Sequence, residues 1–229
     1  MENYEKHHPD LLLKSSPYKG ESKKVIGIGA STGGIDAIVK ILQNLPANLP
    51  PIVITQHIPA GFSASFAERL NEVSTIEVYE VNKKMILKSS CAYLAAGGTH
   101  LLLKRSGSEY SAEPLEGERI SRHKPSVDIM FRGLNNIAGR NALAIILTGM
   151  GDDGSIGIKE LHKNGAYTIA QDEASCVVFG MPKQAISRGA VTEVVSLDNI
   201  PSKIVKFSEG GLVKSVRGGG INVLPFTSC

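Results

Sequence analysis

Between Lys24 and Val195 the chain alternates short, fully apolar runs with stretches whose apolar residues return every three or four positions. Runs of the first kind read as buried strands at 25–29, 52–55, 142–148, 167–171 and 191–195. Stretches of the second kind predict helices. One covers 34–45, with Ile35, Ile38, Val39, Leu42 and Leu45 on one face, and another the segment FSASFAERLNEV. Others fall near 126–138 with Ser126 as cap, over 154–164 ending at Gly165, near 182–188 and over 200–208. Short apolar pieces at 76–81, 91–95 and 101–104 lie between the two halves, and RSGSEYS reads as the turn of a hairpin. Helices alternating with buried strands predict an α/β fold: a doubly wound, mostly parallel sheet, helices on both faces, and a small antiparallel hairpin within an excursion at 76–115.

This pattern divides the 229 residues into a flexible leader at 1–23, one domain at 24–210 and a loose, Gly-rich tail at 211–229. Composition changes little, with 42% hydrophobic residues, 21% charged residues and a net charge of +3. Lys and Arg are scattered and aromatics make up 5%, so no basic stripe points to nucleic acid. The three cysteines, Cys91, Cys176 and Cys229, lie far apart without metal-ligand spacing, which argues against a zinc site or a disulfide framework. No segment has the roughly 18 uninterrupted apolar residues of a membrane span, and the leader lacks a signal-peptide core, so a cytoplasmic protein is expected. No heptad pattern appears, and a monomer is expected.

The stretch VIGIGASTGG, at 25–34, leads a strand into a glycine-rich turn and admits two chemistries. Gly27 and Gly29 begin a dinucleotide fingerprint, but its third glycine position is occupied by Thr32, and the second strand ends in VITQH rather than in an acid. No Gly-Lys-Ser/Thr follows to make a P-loop. The other reading is Gly29-Ala30-Ser31-Thr32-Gly33, a G-x-S-x-G turn presenting Ser31 as a nucleophile beside a helix N-terminus. Plain helix capping by Ser31 fits the pentapeptide equally well.

A serine nucleophile needs a base, and the base needs a partner that holds its tautomer. In an open parallel sheet, ligands bind beyond the carboxyl ends of the strands. Ser31 follows the first strand, His57 the second, and Asp153 the run IILTGMGDDG, so all three fall on one edge. His7 and His8 lie in the leader, His162 in a helix, and His100 before a short strand, while His123 sits in a loop that borders the site. Asp152 or Asp153 is the orienting acid, the other being free to cap the next helix. The order Ser, His, Asp differs from that of α/β-hydrolases, but such constellations are recognised by geometry.

The segments IGASTGG, ITQHIPAGFSASFAERLN, RHKPSVDIMF, AIILTGMGDDG and IAQDEASCVVFGMPKQAI together resemble the catalytic domain of the CheB methylesterases of bacterial chemotaxis, in the same order and spacing from about Lys24 to Val195. The resemblance implies a parallel, doubly wound sheet with Ser31 as nucleophile, His57 as base and Asp153 as orienter. It favours Asp153 because family members commonly carry Asn at position 152. It implies hydrolysis of glutamate γ-methyl esters on the cytoplasmic part of methylated chemoreceptors, with deamidation of receptor glutamines in many members. It also implies that no metal or organic cofactor is required. Amides near Thr32 and Met150 are the candidates for an oxyanion hole. Arg122, with His123 and Ser126, either contacts the substrate or anchors a loop, and Phe179 and Met181 read as core.

One departure stands out. Full-length members carry an N-terminal receiver domain of roughly 100 residues or more, which a leader of this length cannot contain. A stand-alone esterase, or an excised catalytic domain, is therefore expected, without control by phosphorylation in cis. The competing readings are a serine hydrolase of some other ester or amide, and a non-catalytic nucleotide-binding or scaffold protein.

Overall fold

The structure is a computed structural model that describes residues 5–212. In chain order its elements are β1 (Val25–Ala30), α1 (Gly34–Leu42), β2 (Ile52–Gln56), α2 (Ser63–Val73), β3 (Glu77–Val81), β4 (Met85–Ile86), β5 (Cys91–Ala95) and β6 (His100–Ser106). They continue with β7 (Glu109–Leu115), α3 (Val127–Ile137), β8 (Ala142–Ile146), α4 (Ser155–Lys163), β9 (Tyr167–Gln171), α5 (Met181–Ser187), β10 (Glu193–Val195) and α6 (Ile200–Ser208). Seven strands form one sheet in the order β10-β9-β8-β1-β2-β5-β3, every pair parallel. The inner strands β1, β2, β5 and β8 are buried along their whole length, as expected for a sheet covered on both faces.

Alternation along β1 sorts the two cores. Ile26, Ile28 and Ala30 pack with Ile38, Ile41 and Leu42 of α1, Phe66 and Leu70 of α2, and Ile204 and Phe207 of α6. The opposite face of the sheet packs with Phe131 and Leu134 of α3, Ile158 of α4 and Met181 of α5. On that side β1 offers Gly27 and Gly29. A Cβ on Gly29 would sit 2.2 Å from Val127 Cγ1, and one on Gly27 would sit 2.2 Å from Leu134 Cδ1. These glycines therefore serve the close approach of α3 to β1. They lie inside a strand, so the turn that a dinucleotide fingerprint would need is not built from them.

The excursion at 76–115 is antiparallel only in part. β3 and β5 join the parallel sheet, and only β4, β7 and β6 form a separate three-stranded antiparallel sheet. Both kinds of strand are short apolar runs, and periodicity alone does not distinguish them. The hairpin turn falls at Gly107, with φ 58°, within the expected segment.

The leader is not detached where it is described. Arg132 on α3 is 1% exposed and must find partners for a buried guanidinium. It takes Glu160 from α4, and from the leader the Asp10 carboxylate and the Leu13 carbonyl. Ser121 N donates to His7 O, and Tyr18 N to Asn135 O, so this segment runs along α3 from the end of the sheet that carries Ser31 toward the opposite end. Of the tail expected to be loose, only residues 211 and 212 fall within the described residues. No helix among the described residues is long and apolar enough to cross a membrane.

Gly29→Ala places a methyl against Val127 and Phe131, neither of which has room to retreat. Overpacking of this kind costs about 1–3 kcal/mol, so the variant should melt several degrees below the parent in a calorimetric scan. An unchanged midpoint would mean that α3 does not press on β1 in this way.

Candidate active site

The chain runs from β1 to β2 on one side of the sheet and from β8 to β9 and β10 on the other, so strand order reverses between β1 and β8. Crevices form beyond the carboxyl ends of strands at such a point. Ser31 stands directly after β1, its N–H donating to Thr148 O beyond β8 at 3.0 Å. Gly33, with φ 79°, turns the chain into α1 within two residues. His57 follows β2, and its N–H donates to Ala30 O at 3.1 Å. Asp153 lies in the loop after β8, and its Oδ2 is 2.7 Å from His57 Nε2.

Asp153 is completely buried, and its carboxylate is saturated. Oδ2 takes His57 Nε2 and the Val127 N–H, while Oδ1 takes the Ser126 hydroxyl and the N–H groups of Asp128 and Gly154. Burial alone would push this carboxyl up. The hydrogen bond and field of His57, then His123 and the Asp128 amide, outweigh burial and hold it below the usual carboxylate range. An ionised Asp153 fixes the proton of His57 on Nε2, leaving Nδ1 as the basic nitrogen. Nδ1 is buried and has no hydrogen-bond partner.

Two of the amides bound by Asp153 belong to the first turn of α3, so this carboxylate caps a helix remote from it in sequence. Ser126, expected to cap α3, makes no side-chain cap and spends its hydroxyl on Asp153 instead. The exchange is mutual. Asp128, in the first turn of α3, accepts the Ile156 and Gly157 N–H groups of α4 through Oδ1 and the Ser121 hydroxyl through Oδ2. Burial first and the Asp153 charge second push the Asp128 carboxyl up, against the Gly157 and Ser121 hydrogen bonds. The two acids thus share one buried site and divide their roles, Asp153 being the ionised member.

The rest of the site divides according to what touches His57. The His123 ring stacks on the His57 ring, centroids 3.6 Å apart and planes 11° from parallel. Burial and the neighbouring His57 push the pKa of His123 down to about 4, so it is neutral near pH 7. Gln56, the last residue of β2, donates from Nε2 to Ser31 O and His57 O. His100 accepts Ser126 N–H at Nδ1 and bonds Glu118 O through Nε2, which supports the serine that holds Asp153. The Gly149 backbone presses on Ser31, leaving 2.7 Å between an added Cβ and Ser31 Cβ. Met150 follows at the rim, 69% exposed, and among the described residues neither its N–H nor that of Thr32 enters a backbone hydrogen bond.

Other candidates fall outside this group. Arg122 is exposed, with φ 71°, and contributes to lowering the His123 pKa without bonding to the three central residues. Asp152 caps no helix with its side chain, which pairs with Lys6 and faces Arg188 at 3.6 Å. A depression of about 490 Å³ opens over Ser31, His57 and Gln56, lined also by Ile35, Asp36 and Arg69, and is a size that takes a small side chain. A larger one, of about 780 Å³, lies at the opposite end of the strands between Lys23, Pro50 and Ser89, remote from this chemistry. Among the described residues no three His, Cys, Asp or Glu side chains gather as metal ligands. Gln56 and Asp128 escaped the sequence reading, since neither belongs to a nucleophile or base pattern, and His100, weighed there as a base and set aside, supports the site from behind Ser126. The signal available was their placement, Gln56 directly before His57 and Asp128 two residues after the expected cap Ser126.

Comparison with known proteins adds a lineage. The family model described as CheB methylesterase matches residues 26–204. A Pectobacterium atrosepticum protein named protein-glutamate methylesterase/protein-glutamine glutaminase is 52% identical over 197 residues, covering 86% of this chain and 56% of its own length. A Shewanella oneidensis protein of the same name, numbered 3, is 46% identical over 206 residues, covering 89% of this chain and 58% of its own. The chain therefore spans little more than half the length of these curated relatives. The crystal structure of the Thermotoga maritima CheB methylesterase catalytic domain superposes with a TM-score of 0.78 at 37% identity, covering 81% of this chain and 98% of that one.

The paired acids give a pH prediction. A carboxyl whose folded pKa is raised contributes stability that is full below its unfolded pKa, about 3.9, and is lost as pH rises through the folded value. Asp128→Asn does not titrate there, keeps an oxygen for the α4 amides and offers its NH₂ to Ser121. Urea midpoints should show the variant gaining on the parent between about pH 4 and pH 8. The lowered pKa of Asp153 acts in both proteins and cancels. A gap independent of pH would contradict the assignment.

Proposed function

From membership of the CheB methylesterase family, to which this chain belongs, we propose that it hydrolyses glutamate γ-methyl esters on a protein, with Ser31 as nucleophile, His57 as base and Asp153 as orienter. The carrying observation is the bond from His57 Nε2 to the buried, saturated Asp153 carboxylate, beside a serine on a strand-to-helix turn. In this reading the substrate is the methylated cytoplasmic part of a chemoreceptor, the chain works in the cytoplasm as a monomer, and receptor glutamines are deamidated by the same route. The relatives' shared name, methylesterase and glutaminase, supports one site for both groups.

The chemistry follows from the orientation of the imidazole. Ser31 Oγ attacks the γ-carbonyl carbon while its proton passes to His57 Nδ1, and Asp153 holds the imidazolium through Nε2–H. Negative charge gathers on the former carbonyl oxygen, which in this reading the Thr32 and Met150 N–H groups receive. The tetrahedral species expels methoxide, which takes the proton from Nδ1 and leaves as methanol. Water then attacks the acyl carbon, giving its proton to the same nitrogen, and Ser31 departs with that proton, leaving a free glutamate carboxylate. A glutamine substrate differs only in losing ammonia. Neutral His123 shields one face of the His57 ring without adding a competing charge.

A glutamate side chain is short, so the main chain of the substrate must lie on the rim. Ile35, Phe62, Met150 and Val177 are the exposed large apolar residues there, Ile35 in the first turn of α1 after β1 and the others on the loops after β2, β8 and β9. These strands are neighbours in the sheet, so the four residues follow one another along its edge.

Methanol release from methylated receptor membranes should fall by about 10³-fold or more in Ser31→Ala, His57→Ala and Asp153→Asn. Full activity in Ser31→Ala would end the proposal, whereas small esters cleaved with receptors untouched would remove only the substrate. Phe62→Asp should raise KM for the protein substrate several-fold with small-ester hydrolysis unchanged, and equal effects on both would remove Phe62 from the docking rim.

A further inference from the structure

Gln56 is 3% exposed, yet it stands between the two loops that carry Ser31 and His57. Both hydrogens of its amide are committed, Nε2 donating to Ser31 O at 2.9 Å and to His57 O at 3.1 Å. Two carbonyl acceptors on one side settle which end of the amide carries nitrogen. Oε1 is buried, has no partner and lies over Gly34, where a Cβ would come within 2.1 Å of it. A buried amide oxygen left unsatisfied costs free energy, so some other demand holds the side chain in this orientation. Glycine at position 34, the first residue of α1, makes room for it.

The backbone adds a second tie between the same loops. Ala30 is the register partner of Gln56 across β1 and β2, and His57 N–H donates to Ala30 O. The ladder ends there, and beyond it the two chains diverge, one into α1 and the other into the loop before α2. Gln56 carries the pairing one step past the end of the sheet, at the two residues whose side chains must meet. A nucleophile and base displaced by 1 Å lose on the order of 10²-fold in rate, so a clamp at this point acts on the chemical step.

We infer that Gln56 is a positioning residue for the reaction, its carboxamide clamping the main chain of Ser31 to that of His57 so that the two side chains can meet during the chemical step. The inference rests on the proposed roles of Ser31 and His57. The clamp acts through the Ser31 and His57 carbonyls, and Gln56, though it lines the depression, is almost wholly buried, so its loss falls mainly on kcat rather than on KM. The same loss slows acylation of Ser31 by any electrophile that depends on the base.

The test compares the parent, Gln56→Met, Gln56→Glu and Ser31→Ala. It reads kcat and KM for methanol release from methylated receptor membranes, the rate of inactivation by phenylmethanesulfonyl fluoride, and the thermal midpoint. Gln56→Met keeps the volume and removes both donors. In folded protein it should lower kcat and the inactivation rate by a common factor of about 10 to 100, with KM within about twofold. Gln56→Glu is the second variant should Gln56→Met not fold. Its side chain donates nothing when ionised and regains one O–H when protonated, and burial beside two carbonyls raises its pKa, so its rate relative to the parent should climb as pH falls from about 9 toward about 5. A folded Gln56 variant with parental kcat and inactivation rate, or a Gln56→Glu ratio flat with pH, would overturn the clamp. Inactivation of Ser31→Ala at the parental rate would instead overturn the nucleophile assignment beneath it.

Discussion

The Asp153 carboxylate is the interaction on which the rest of the site depends. It is fully buried and surrounded by donors from α3, from the start of α4, from Ser126 and from His57. An isolated carboxylate in such a place would take up a proton. Here the first turn of α3 supplies amides and the positive end of a helix dipole, while α4 receives the same service from Asp128. The exchange of caps locks α3 to α4 and makes an ionised acid available to His57 without a lysine or arginine at its side.

That lock is assembled from packing constraints remote from the chemistry. α3 reaches Asp153 only because Gly27 and Gly29 let it press against β1, and β1 in turn ends at Ser31. The same helix carries Arg132, whose buried guanidinium draws in Asp10 and Leu13 of the N-terminal segment. Along that segment the His7 carbonyl accepts the amide of Ser121, which leads the loop bearing His123. Core packing, helix capping and the stacked imidazoles therefore form one connected structure, and the reversal of strand order gives it an opening beyond β1 and β8.

Much of this was legible in the sequence. Buried parallel strands leave continuous apolar runs, and amphipathic helices leave a three-to-four-residue period, so the order of elements and the shared edge of Ser31, His57 and Asp153 follow from pattern alone. What the pattern could not carry were the contacts between elements. Ser126 is a good capping residue, and nothing local shows that its hydroxyl turns to a carboxylate 27 positions away. The runs at 76–81 and 91–95 look alike whether paired parallel or antiparallel. The leader, polar and aperiodic, is held by a buried arginine that lies within a helix pattern. The glycines of the first strand invite a phosphate reading, and only α3, more than 90 residues later, shows what they accommodate.

The central claim is that the turn after the first strand presents an activated serine. The most direct measurement is acid quenching during turnover of a methylated glutamyl substrate, followed by peptide mass mapping to find where the acyl group resides. The account predicts an ester on Ser31 that disappears when His57 is replaced by alanine. An acyl group on another residue, or turnover that continues at the parental rate in Ser31→Ala with no covalent species at any quench time, would contradict it.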